Sequence, residues 1–227
     1  MESEIWDKLT QVQMYFESAL SETGNVVHDP RLDKFNRPGW THVEWHSKDY
    51  LRSNISIIDA RETRKIWMMH CCIFPNLDNP APIFGFDVIA GKSKITGCFY
   101  DFSPTADPNH PLCEWWDHET DRLIWKKERD LPPWAKAIFS KNMIAAGFVS
   151  EPNEVDQIVE IAQEGIDTYL KCVAETAGQC ESNLEAQNLY CGNQRQNPHN
   201  KRVMMNLGLS EEDAELFVNG CLFPTIE

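Results

Sequence analysis

Apolar residues recur at steps of three and four from Ser3 to Leu20, at Ile5, Leu9, Val12, Phe16 and Leu20, which predicts an amphipathic helix. Residues 21–40, with Gly24, Pro30, Pro38 and Gly39, read as a loop. Thr41 to His46 alternates and reads as a strand whose polar face, His42, Glu44 and His46, is a solvated edge rather than a metal site. Asn54 to Ala60 is a second strand, and Arg61 to Lys65 turns it into a hairpin. Then come Ile66 to Phe74, Ile83 to Ala90, and a run ending at Phe102, separated by Pro, Asn, Asp and Gly clusters that punctuate antiparallel strands. Pro75, Pro80 and Pro82 cannot donate to a ladder, so the segment holding them is a loop.

Residues 103–123 read as an irregular loop anchored by Trp115 and Trp116. A ligand set from Asp117, His118 and Glu119 is disfavoured, because adjacent residues rarely converge on one ion. Leu131-Pro132-Pro133-Trp134 starts a helix running to about Gly147. Glu151-Pro152-Asn153 opens a long helix with Val155, Ile158, Val159, Ala162, Ile166, Tyr169, Leu170 and Val173 on one stripe. Gly178 ends or loosens it, and Leu184 to Leu189 resumes it. Residues 192–200 form a loop, Lys201 to Leu207 a short helix, and Ser210 to Asp213 cap a last helix that packs through Leu216, Phe217 and Leu222. A helix, a run of strands and then helices imply one α/β domain over residues 1–227. Its architecture is a three-layer α/β/α sandwich with a central antiparallel sheet flanked by helices.

Register brings the first chemistry into view. If Phe74 faces Ile83 across the loop, His70 falls opposite Asp87. Side chains alternate faces, so Met68, His70 and Cys72 share one side with Gly85, Asp87 and Ile89. A histidine and an aspartate then stand about 5 Å apart at Cβ on an otherwise apolar face. They are a satisfied core pair or a proton-handling site. Burial alone would raise the aspartate and lower the histidine, bringing both toward neutral pH for general acid work. There is no nucleophile elbow and no glycine-rich nucleotide loop after a strand.

A net charge of −14 argues against non-specific nucleic-acid binding and against attraction to an anionic membrane. The eight cysteines contain no CxxC pair, so a zinc or iron–sulfur site is not indicated, and reduced thiols in a cytoplasmic monomer are expected. No signal peptide and no membrane-spanning run are read.

The runs His70-Cys71-Cys72-Ile73-Phe74-Pro75, Pro82-Ile83-Phe84-Gly85-Phe86-Asp87 and Asp101-Phe102-Ser103-Pro104 resemble the ferredoxin-dependent bilin reductases. Leu131-Pro132-Pro133-Trp134, Ile138-Phe139-Ser140 and the ending Ala214 to Phe223 agree with that likeness. The resemblance implies that biliverdin IXα lies between the sheet and the C-terminal helices, with no metal or flavin bound. It implies single electrons from a reduced [2Fe–2S] ferredoxin and protons from the protein, with Asp87 and His70 as the catalytic pair and Cys72 beside the substrate.

Two departures from the family pattern bear on the product. Members that reduce the exovinyl group carry a glutamate on the strand before the histidine; the position here is Ile58, with Asp59 on the opposite face. A later aspartate of many members corresponds to Asn197. The expected reaction is a four-electron reduction of biliverdin IXα to phycoerythrobilin through 15,16-dihydrobiliverdin. The alternatives are phycocyanobilin as product, a non-catalytic bilin carrier, or a metal-dependent hydrolase. Arg195, Lys201 and Arg202 are expected to hold the bilin propionates, the alternative being solvated charges at helix ends, and Asn197 is expected to line the substrate site. Arg61, Arg64 and Lys65, or Lys126, Lys127 and Arg129, are expected to dock an acidic ferredoxin.

Overall fold

The computed structural model describes residues 3–227, and the strand periodicities resolve there into a seven-stranded antiparallel meander in the order β1 to β7. The strands are β1 (Asn25–Val27), β2 (Trp40–His46), β3 (Tyr50–Ala60), β4 (Ile66–Pro75), β5 (Ile83–Ala90), β6 (Ile95–Ser103) and β7 (Ile144–Ala146). The helices are α1 (Glu4–Thr23), α2 (Pro111–Asp121), α3 (Pro133–Lys136), α4 (Pro152–Glu175), α5 (Leu184–Gln194), α6 (Pro198–Asn206) and α7 (Glu211–Leu216). The chain leaves α7 through a π-helical turn, Phe217–Leu222.

Each face of the central strands carries its own core. Trp67, Met69, Cys71 and Ile73 of β4 and Phe84, Phe86, Val88 and Ala90 of β5 pack against α1, α2 and α4. Ser3 caps α1 by accepting from the Trp6 amide, which aims Trp6, Leu9, Val12, Phe16 and Leu20 at this layer. Phe84 sits at its centre, ringed by Phe16, Tyr100, Phe102 and Tyr169 with centroids 5.2–5.7 Å away. On the other face Ile58, Cys72, Phe74 and Ile83 meet Tyr190, Cys191, Met204, Phe217, Cys221 and Phe223 of the C-terminal helices. The expected three layers are therefore present.

A buried amide clamp fixes where α5 sits. Asn183 Nδ2 donates to the Asn79 carbonyl at 2.6 Å, Asn79 Nδ2 to the Val173 carbonyl at 2.8 Å, and Gln187 Nε2 to the Pro75 carbonyl at 2.9 Å. The β4–β5 loop is thereby tied to α4 and α5 by side-chain amides that donate to buried backbone carbonyls.

Local expectations fail where short-range signals compete. Residues 111–121 form α2 rather than an irregular loop: Pro111 occupies the first turn, His110 Nδ1 accepts from the Leu112 amide, and Leu112, Trp116 and Thr120 bury at four-residue steps. The helix expected up to Gly147 stops at Lys136. The Asp101 carboxylate takes Ser140 off the helical path, through the Ser140 amide at 2.9 Å and its hydroxyl, and Ile144–Ala146 then pairs with β6. The loop expected at residues 21–40 contains β1 and a 3-10 turn at Pro30–Phe35, and the loop at 192–200 shrinks to the few residues between α5 and α6.

Phe84→Ala is expected to cost about 3–5 kcal/mol in denaturant unfolding, because no neighbour can collapse into the gap. Met14→Ala on the exposed side of α1 stays within about 0.5 kcal/mol. Equal midpoints for the two variants would contradict this packing.

Candidate active site

β4 and β5 pair with His70 opposite Asp87, as the hydrophobic register requires. His70 Nδ1 and Asp87 Oδ1 are 3.1 Å apart, and the two groups differ in exposure: 6% for the His70 side chain, 41% for that of Asp87. The difference comes from how the C-terminal layer lies on the sheet. Along β5 the outward residues Gly85, Asp87 and Ile89 are all half-buried, whereas Phe84, Phe86, Val88 and Ala90 are fully buried beneath α1 and α4. Met68 and Phe99, the lateral neighbours of Ile89 and Asp87, are half-buried as well. The result is an apolar strip, open to solvent, with a carboxyl in its middle. The Phe223 ring, edge-on to His70 with centroids 5.2 Å apart, walls one side. At the other rim the Arg129 guanidinium lies over Phe99 at 5.9 Å and over Phe148 at 5.6 Å. The surface cleft lined by Ser3, Glu4, Asp7, Lys8 and Gln11 belongs to the α1 side and has no part in this strip.

The electrostatics differ from the simple expectation for a buried histidine. Burial, the largest influence on His70, disfavours its charge, but the Asp87 carboxylate and the Cys72 sulfur outweigh it and raise the imidazole to about 10. The pair therefore favours a proton on His70 to higher pH than a free imidazole holds one. His42 behaves in the opposite way: burial, then the charges of Arg52 and His70, lower it to about 3. The expected solvated edge on β2 holds for His46, which is exposed, and is corrected for His42, which is only 6% exposed. His42 Nδ1 lies 2.8 Å from Ser56 Oγ, and His42, Ser56, His70 and Asp87 stand side by side on four adjacent strands. One pleat away Glu44 pairs with Arg52 and with His46.

The sequence reading did not single out Ser56, Asn54 or Arg52, although their alternation along β3 marks a polar face under a helical layer. His42 Nε2, His70 Nε2, both amide atoms of Asn54, and Nε and Nη1 of Arg52 have no protein partner despite burial. Asp101 was missed as a titrating group. Burial lifts it to about 6 against the hydrogen bonds from Ser140 and Ser103.

The other expected site residues lie elsewhere on the C-terminal layer. Cys72 faces Gly85 on the site face, with Sγ 3.9 Å from Tyr190 Oη. Asn197 caps α6 by accepting from the His199 amide at 3.0 Å. Lys201 Nζ bonds Glu211 at 2.9 Å and Glu215 at 3.3 Å, Arg202 bonds His199 at 2.7 Å, and Arg195 bonds Thr225 at 3.2 Å. Ile58 pairs with Met68 on the site face, and Asp59 turns away to Arg61. Among the described residues no three His, Cys, Asp or Glu side chains converge as a metal site, and no helix is long and apolar enough to cross a membrane. All eight cysteines are free thiols.

The family described as ferredoxin-dependent bilin reductase matches residues 40–224. A curated protein named phycocyanobilin:ferredoxin oxidoreductase from Trichodesmium erythraeum is 29% identical over 149 residues, covering 62% of this chain and 59% of that protein. One of the same name from Prochlorococcus marinus is 23% identical over 203 residues, covering 83% of this chain and 81% of its own. The matched region thus spans less than two thirds of the Trichodesmium protein's length. A solved structure titled PcyX superposes with a TM-score of 0.72 at 28% identity, covering 96% of this chain and 99% of that one. A tomato phytochromobilin synthase solved in complex with biliverdin shares the fold, with a TM-score of 0.72 at 17% identity over 93% of this chain and 82% of that one.

His70 in the folded chain lies above its ordinary value of 6.5, so the pair's contribution to stability is complete below about pH 6.5 and fades as pH rises toward about 10. Nitrogen-15 spectra near pH 8 are expected to show both His70 ring nitrogens protonated. In Asp87→Asn the ring is expected to titrate well below its value in the unmodified chain, since the carboxylate that chiefly offsets burial is gone. A neutral His70 in the unmodified chain at that pH would contradict the assignment.

Proposed function

The chain belongs to the ferredoxin-dependent bilin reductase family, and from that premise we propose that it reduces biliverdin IXα with single electrons from a reduced [2Fe–2S] ferredoxin. The observation that carries this reading is the His70–Asp87 pair set in a half-open apolar strip of the sheet. A flat, conjugated tetrapyrrole suits Met68, Ile89 and Phe99, and the 41% exposed carboxyl of Asp87 is free to touch it. The proton sits between the two side chains. His70 Nδ1–H passes its proton to Asp87, Asp87 passes it to a ring carbon as an electron arrives, and the pair is recharged from solvent through the exposed Asp87 carboxyl. The redox chemistry belongs to the tetrapyrrole and the donor, and the protein orients and protonates.

The product we assign is phycoerythrobilin, formed through 15,16-dihydrobiliverdin with four electrons and four protons. Ile58 is apolar where exovinyl-reducing members carry a glutamate, and Asn197 is committed to capping α6. Asp87 is then the carboxyl that serves both steps. Phycocyanobilin, the product in the names of the curated relatives, is the second reading.

Cations suited to the substrate's propionates stand at the rim of the strip and elsewhere on the C-terminal layer. Arg129 stands over Phe99, next to Asp87 in register, while Lys201, Arg202 and Arg195 come from the helical side and would exchange their present partners for carboxylates. For the donor, Arg61 is engaged by Asp59 and Lys126 by Glu151. Lys94 and Lys127 instead crowd the exposed ring of Phe148 at 4.9 and 4.3 Å and make a local basic patch on a chain of net charge −14. Small, transient redox encounters need no more than such a patch.

Asp87→Asn is expected to bind biliverdin but to lose about 100-fold or more in turnover; a carrier would show no change. Chromatography of the product from biliverdin, ferredoxin and a reductase is expected to give phycoerythrobilin, and phycocyanobilin would overturn the product assignment. Lys94→Glu together with Lys127→Glu is expected to raise the KM for ferredoxin and to flatten its salt dependence.

A further inference from the structure

Tyr190 reaches down from α5 to the sheet at the one glycine on the site face of β5. A Cβ built on Gly85 would lie 2.8 Å from Tyr190 Oη, so glycine is what admits the hydroxyl there. Cys72, the register partner of Gly85, places its Sγ 3.9 Å from the same oxygen. Cys72 follows His70 by two residues and Gly85 precedes Asp87 by two, so the hydroxyl stands over the next pleat, about 7 Å along the strands from the proton pair.

The phenol is held from both ends. Phe74, Phe139 and Phe223 pack around its ring with centroids 6.1–6.3 Å away, and the amide clamp of Asn183 and Gln187 fixes the start of α5. Burial keeps the phenol protonated, well above its ordinary range. Its oxygen already accepts from Gln194 Nε2 at 3.0 Å. The O–H is left with only a thiol sulfur near it, a weak acceptor at the limit of range. A buried donor in so exact a socket, with no strong acceptor, is costly unless something else accepts from it.

We propose that Tyr190 is a positioning residue for the tetrapyrrole, its O–H donating to the lactam carbonyl of the terminal ring that overhangs the Cys72–Gly85 pleat when a methine bridge lies over Asp87. This rests on the bilin reductase reading and deepens it. A linear tetrapyrrole carries a lactam carbonyl at each end and N–H donors between them. With its oxygen taken up by Gln194, the hydroxyl has a proton to donate, which suits the lactam carbonyl of a terminal ring and not a pyrrole N–H of an inner one. Because the distance from Tyr190 to Asp87 is fixed by the sheet, the terminal ring held at Tyr190 decides which double bond receives the proton. Tyr190 thus selects the site of reduction without touching the reacting atoms.

Tyr190→Phe keeps the ring packing and removes the donor. It is expected to fold, to bind biliverdin about 5- to 10-fold more weakly, to shift the absorption band of the bound bilin, and to give a mixture of isomeric dihydrobilins. Gly85→Ala is expected to push the hydroxyl away, lowering stability and giving the same mixture. Adding Tyr190→Phe to Gly85→Ala is expected to recover stability but not product selectivity, a split that packing alone does not produce. An unmodified enzyme that reduces biliverdin, and whose product and bound spectrum survive Tyr190→Phe unchanged, overturns the role of Tyr190 alone. An unmodified protein that leaves biliverdin unreduced overturns the bilin reductase reading, and this role with it.

Discussion

A buried imidazole beside a half-exposed carboxylate is the interaction on which this molecule turns. The imidazole would not keep its charge alone. Burial by itself would strip the proton from His70, as it does from His42 two strands away, and the carboxylate of Asp87 reverses that outcome. The two histidines share a sheet face and a degree of burial but differ in their neighbours: His42 has a serine hydroxyl and a cation nearby, and His70 has an anion. One ring is held neutral and the other charged. A protonated group is thereby stored behind Asp87, whose carboxyl reaches the open strip.

The two layers of helices divide the remaining work. The α1–α4 layer buries large aromatics without interruption and fixes the sheet. The C-terminal layer covers the other face only in part, leaving β5 open along Gly85, Asp87 and Ile89. It is also joined differently, through buried amides and a π-helical turn rather than a continuous apolar stripe. π-helical turns are frequent at functional sites, and this one delivers Phe223 edge-on to His70.

Much of this was readable from the chain. The helix capped by Ser3, the three central strands, the facing of His70 and Asp87 and the long helix after Pro152 follow from periodicity and punctuation, because each is decided by neighbours close in sequence. What the sequence did not disclose depends on contacts between distant segments. α2 is hidden among prolines and aspartates, and β7 exists because Asp101 bends Ser140 back across 39 residues. The burial of His42 depends on neighbours outside β2: its amide donates to Asn36 Oδ1 and its ring meets Ser56 of β3. The charge on His70 depends on a carboxylate across a hairpin, so single-residue expectations gave the wrong direction. Tyr190 carries no sequence signal beyond the glycine that receives it.

The reaction's dependence on pH tests the central claim most directly. Single-turnover reduction of prebound biliverdin by pre-reduced ferredoxin is to be followed from about pH 6 to pH 10. With His70 held as an imidazolium by Asp87, the rate stays level past its ordinary value of 6.5 and declines only toward about 10. A rate that falls away near 6.5, as for a solvated histidine, would show that the pair does not store the proton the reaction uses.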